Sequence, residues 1–175
     1  MSSRTKEILH LDFAPGHRQP RLARVGLAAV AALIGSLAAD ALLVVIGEAV
    51  FPSTKGYMHF QFSDYAPLTV IGVLVACVAW PVVTRITSTP RWMFSRMAVL
   101  VTVVLWVPDV GILVQGQPAR AVGVLILMHL AIALVTYHLL VRVAPCLPGP
   151  ERPGVNQRLV RRPKASSPAP PRASS

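Results

Sequence analysis

The chain has 175 residues, room for one ordinary domain, yet 54% are hydrophobic and only 14% are charged. A soluble domain carries about 25% charged residues, and here a mean hydropathy of +0.58 comes with apolar residues in long blocks. The pattern is that of an integral membrane protein, and it excludes a soluble α/β enzyme, a coiled coil and a disulfide-stapled secreted module.

A spanning helix needs about 20 mostly apolar residues. Residues 1–20 read as a cytoplasmic N-terminal segment, and the first span covers about 25–47. Ala39-Asp40-Ala41 resembles a signal-peptide cleavage site, but the apolar run resumes at once, so the span is expected to be retained. Within it Ala28, Ala32, Ser36 and Asp40 form an i,i+4 row, small enough for close helix contact. Glu48 adds a charge near the outer mouth. The following loop, 51–65, holds five of the eleven aromatics: Phe51, Tyr57, Phe60, Phe62 and Tyr65. Such residues favour the membrane–water boundary, so the loop is expected to lie along the outer headgroups. A lid over a cavity is the sharper alternative.

The second span covers about 66–84. Leu74-Val75-Ala76-Cys77 mimics a lipidation signal but lies inside this span, far from the N-terminus, and reads as structural. An inner loop carrying Arg85, Arg91 and Arg96 leads to the third span, about 97–114, in which Thr102, Trp106 and Asp109 share a row. Pro81 and Pro108 lack an N–H and free the carbonyls of Cys77 and Val104. The fourth span, about 121–141, carries His129, Ala133 and Thr136 on one row. His129 and His138 are nine positions apart, on opposite helix faces, and cannot share a metal from one straight helix. Residues 144–175 are basic and rich in Pro and Ser, with nothing to bury, so a disordered tail is expected, its cations attracting anionic lipid. The two cysteines, Cys77 in an apolar run and Cys146 in a proline-rich stretch, are expected to form no disulfide.

Charge sets the orientation, because Lys and Arg accumulate on the cytoplasmic side. Fifteen of the 17 lie before span one, between spans two and three, or after span four; only Lys55 and Arg120 lie opposite. The expectation is four spans in the cytoplasmic membrane with both termini inside. The same distribution accounts for the net charge of +10 without a nucleic-acid partner.

Asp40, Asp109 and His129 stand out, since an aspartate near a helix centre costs about 2.5–3.5 kcal/mol on insertion scales and normally faces protein or water. At 1.5 Å per residue they lie roughly 6, 5 and 3 Å outward of their span centres, a common depth. In one reading they bond each other and fix helix register. In the other they form a protonatable site for an ion or small substrate. No nucleophile motif, phosphate loop or paired Cys-x-x-Cys occurs, and no cofactor or metal is expected.

Pro108 in span three, Leu127-Met128-His129-Leu130-Ala131 in span four and the arginine-bearing loop between spans two and three carry a resemblance. The chain resembles small four-span bacterial integral membrane proteins grouped as a family of unknown function, over residues 21–143. The resemblance implies an all-α, multi-pass fold and supplies no activity. The function expected is a non-enzymatic structural or partner-binding membrane component, with a homo-oligomer or a membrane protein as partner. The alternative is a small proton- or ion-coupled transporter using the Asp/His cluster.

Overall fold

The computed structural model describes residues 17–148. Among the described residues there are four α-helices: α1 (Leu22–Val50), α2 (Phe62–Ile86), α3 (Pro90–Val114) and α4 (Ala119–Val143). Each is long and apolar enough to cross a membrane. The protein is an all-α, multi-pass membrane protein, as its composition requires. A two-residue strand β1 (His17–Arg18) pairs antiparallel with β2 (Leu147–Pro148), His17 opposite Pro148 and Arg18 opposite Leu147. The order of the helices places the α1–α2 and α3–α4 loops at one end, here the loop end. The α2–α3 turn and both terminal segments lie at the other, the terminal end.

The helices extend beyond the apolar runs that announce them. The third begins at Pro90 rather than near 97, because Pro90 occupies its first turn, where a missing N–H costs nothing. The second begins at Phe62, with Asp64 in its first turn, where a negative charge favours the helix dipole. Pro67, Pro81 and Pro108 lie inside helices that continue through them. Two residues past the end of α3 lies Gly116, whose φ of +91° belongs to the left-handed region. There the Gly116 N–H donates to the Leu113 carbonyl and the Gln117 N–H to that of Ile112, closing the helix end.

Helix α4 packs against all three others, most extensively against α1 and next against α3. The α1–α4 contact is close because glycine permits it. A Cβ added at Gly47 would lie 2.8 Å from Val124 Cγ2, and one at Gly35 would lie 3.0 Å from Val135 Cγ1. The row of α1 foreseen as close-packing is wholly interior: Ala28, Ala32, Ser36 and Asp40 are buried, while Leu27, Val30, Ile34 and Leu42 are exposed. Small and polar residues inside with large apolar ones outside suit lipid, where no hydrophobic drive joins helices and close packing must do so.

Two apolar clusters fill the bundle. At the terminal end Ala28, Val73, Trp80, Val83, Phe94 and Leu140 pack together. Trp80 is fully buried, donates its Nε1–H to the Ala144 carbonyl at 3.0 Å, and meets Phe94 edge to face at 5.1 Å. The terminal segments join this end. His17 Nε2 and Gln19 Nε2 lie 2.8 and 2.9 Å from the Thr84 carbonyl, and the Thr84 hydroxyl donates to Gln19 Oε1 at 2.6 Å. Ala144 is buried and Cys146 packs on the same cluster, so the folded unit runs past 143, where the apolar run stops. Both cysteines are free thiols. The tail beyond Pro148 lies outside the described residues.

At the loop end Phe60, Tyr65, Ala66, Ala121, Val124, Leu125 and Met128 form the second cluster. Phe60 is buried here, and Tyr57 and Ile112 pack against it. Two short 3-10 turns, Pro52–Thr54 and Met58–Phe60, shape this loop. Of the loop's aromatics, Phe60 and Tyr65 turn into the bundle with Tyr57 packed against them, because they find apolar partners between the helix ends, while Phe62 stays exposed.

Candidate functional site

Between the two apolar clusters lies a band of polar side chains contributed by all four helices. Ser36, Asp40, Thr69, Thr102, Asp109 and Thr136 are buried, and His129 is half-buried. Three cross-helix contacts run through it. Ser36 Oγ lies 3.4 Å from Thr136 Oγ1, joining α1 to α4. Thr69 donates its hydroxyl to Asp40 Oδ2 at 2.7 Å, joining α2 to α1. His129 Nδ1 lies 3.0 Å from Asp109 Oδ2, joining α4 to α3.

The pair on α3 and α4 has more than one hydrogen to place. His129 Nδ1 also lies 3.0 Å from the Leu125 carbonyl of its own helix. A ring nitrogen carries a single hydrogen. When that hydrogen serves Leu125, Asp109 Oδ2 sits at ion-pair distance with no donor of its own, buried and unsatisfied. When Asp109 carries the proton, its O–H has Nδ1 as acceptor. With Nε2 carrying its own hydrogen, one proton thus has two places to reside, Nδ1 or Asp109 Oδ2.

Asp40 is fully buried and, among the described residues, bonded through one oxygen only, with Oδ1 unpartnered. A buried polar atom left unpaired costs about 1–3 kcal/mol. Asp40 forms no hydrogen bond with Asp109 or His129, though His129 lies within its electrostatic range. The three residues foreseen as one cluster are therefore a bonded pair and a neighbouring carboxyl held by threonine. Thr69 is the partner that sequence reading passes over. Its signal was present, since it is the one hydroxyl in the loop-end half of α2's apolar run.

Glu48 does not reach the band. Its Oε1 accepts a long bond, 3.4 Å, from the N–H of Gly56. Gly56 has φ +76°, a turn that a side chain would strain. Glu48 thereby braces the inward-folded loop. The loop in turn reaches the band's edge. Tyr57 meets His59 and Phe60 edge to face, each at 5.3 Å, and its buried hydroxyl has no partner among the described residues. Burial, with the Asp109 and Asp64 carboxylates nearby, pushes the Tyr57 phenol above its usual range, so it stays an O–H donor. His59 itself pairs with Asp64. Trp106, on the row of Thr102 and Asp109, contributes a buried Nε1 without a partner among the described residues.

His138 lies away from the band, its Nδ1 against the Leu134 carbonyl at 2.8 Å. Among the described residues no three His, Cys, Asp or Glu side chains gather as a metal site.

A family model described as a family of unknown function, DUF6069, matches residues 14–145. The match takes in β1, all four helices and the first residues after α4. No curated protein and no solved structure shows detectable similarity.

Proposed function

We propose that the chain, which belongs to the DUF6069 family, is a non-enzymatic component of the cytoplasmic membrane whose polar band fixes the mutual register of its helices. One observation carries this reading: the three contacts of the band join three different helix pairs, α1–α4, α1–α2 and α3–α4. Close packing joins the helices, and a buried polar group out of register is left unpaired, which adds a penalty to every shifted arrangement. Both termini are assigned to the cytoplasm on the fifteen-to-two charge count. The broad apolar face of α3, with Val99, Val103, Val107 and Val110 exposed, is available to a second copy or another membrane protein.

A second reading, a proton- or ion-coupled transporter, is favoured by the unpaired oxygens of Asp40 and Asp109 and the exchangeable proton beside His129. Melting of detergent-solubilised wild type and Asp40→Asn between about pH 5 and 8, where histidine usually titrates, separates the two. Register-fixing predicts parallel pH profiles, since Asn still accepts from Thr69. A pH-dependent response present in wild type and abolished in a folded Asp40→Asn variant sinks the register reading and supports proton binding.

A further inference from the structure

The terminal end carries a feature that the polar band does not explain. Arg91, Tyr137, His138, Val141, Arg142 and Pro145 line a cleft of about 470 Å³ there. Arg91 is the second residue of α3 and Arg142 the last but one of α4, so two helix ends bring two guanidinium groups to one opening. Neither forms an ion pair or hydrogen bond among the described residues. Among the described residues no carboxylate lies beside either. The four described acidic residues, Asp40, Glu48, Asp64 and Asp109, all lie toward the loop end, whereas seven described arginines lie at the terminal end. The cleft wall is firm. Tyr137 stacks on Phe94 at 5.8 Å with 16° between the rings, and Val141 is buried.

We infer that this cleft binds the phosphate of an anionic phospholipid, held between Arg91 and Arg142. Guanidinium forks match phosphate oxygens in pairs. The N-terminal end of α3 adds a favourable dipole beside Arg91. Depth selects a lipid over a free anion. A helix of 25 residues is roughly 37 Å long, against a hydrocarbon core of about 30 Å, so both arginines project into the headgroup layer. Tyr137 also lines the cleft, and its hydroxyl, which forms no hydrogen bond among the described residues, adds a donor.

The test measures lipid binding to the full-length protein in a neutral detergent, by native mass spectrometry and by melting temperature. The probes are phosphatidylglycerol, phosphatidylcholine and inorganic phosphate. Phosphatidylglycerol should bind and raise the melting temperature, and the double variant Arg91→Gln/Arg142→Gln should bind it at least about tenfold more weakly, as loss of charge-assisted bonds implies. Arg91→Lys/Arg142→Lys keeps the charge without the forks and should recover only part of the affinity. Arg158→Gln/Arg161→Gln, in the tail, should bind as wild type does. Melting without lipid checks that each variant is folded. Equal binding of phosphatidylcholine, undiminished phosphatidylglycerol binding by the glutamine variant, or saturation by inorganic phosphate at matching concentrations would each overturn the assignment. The first two outcomes remove the specific site; the third replaces the lipid by a soluble phosphate.

Discussion

At the scale of single residues, glycine and aspartate bear the clearest consequences. Gly47 meets Val124 at a distance that no Cβ tolerates, and valine, branched at Cβ, has little freedom to move aside. Gly47→Ala should therefore cost about 1–3 kcal/mol by overpacking. Gly26, with open space where its Cβ would be, should accept Ala with no loss. Comparing the two in detergent melting isolates the contact from the general effect of replacing glycine in a helix. Thr69→Val removes the one hydrogen-bond donor to Asp40 among the described residues and leaves the side-chain shape nearly unchanged. It should destabilise by about 1–3 kcal/mol, the cost of stranding a buried polar group, whereas Asp40→Asn should be milder. A Thr69→Val variant that melts like wild type would remove Asp40 from the register contacts.

Among elements, the terminal segments are the part whose contribution the apolar pattern conceals. Composition separates span from tail at about residue 143, but Trp80 reaches to Ala144, Cys146 packs on the terminal-end cluster, and Leu147–Pro148 pairs with His17–Arg18. Truncation after Pro148 should leave melting unchanged. Truncation after Ala144 should lower stability modestly, by about 1 kcal/mol for each net hydrogen bond lost with β2. Equal melting of the two truncations would show that the strand pair contributes nothing. The aromatic loop teaches the complementary lesson. Its residue types are those of an interfacial loop, and no feature of 51–65 by itself says that Phe60 enters the bundle; that depends on Ala66, Ala121 and Met128 leaving room between α2 and α4.

For the whole molecule, the charge count becomes a labelling experiment. In a Cys77→Ala/Cys146→Ala background, single cysteines at Thr54 and Gln117 should react with an impermeant maleimide from outside intact cells. Those at Ser88 and Ser167 should react only after permeabilisation. External labelling of Ser167 would overturn the cytoplasmic assignment of the termini. Ser88 tests the α2–α3 turn independently, so a chain inserted with one span fewer would be distinguished from one that is inverted.

Sequence alone determined the number of spans, because crossing lipid demands about 20 apolar residues in an unbroken run and four such runs are present. It also determined which residues of α1 turn inward, since a row of Ala, Ala, Ser and Asp at i,i+4 has only one face to hide. It singled out Asp40, Asp109 and His129, because charge in an apolar helix has few causes. Tertiary structure alone decided how they pair. Depth along a helix follows from residue count, but the partner across a gap depends on rotation and on which helices touch. Here α4 lies against both α1 and α3, so His129 meets Asp109, while α2 brings Thr69 to Asp40. The Arg91–Arg142 cleft has the same origin. Two arginines 51 positions apart in the chain share one opening because α3 and α4 are neighbours with their ends level.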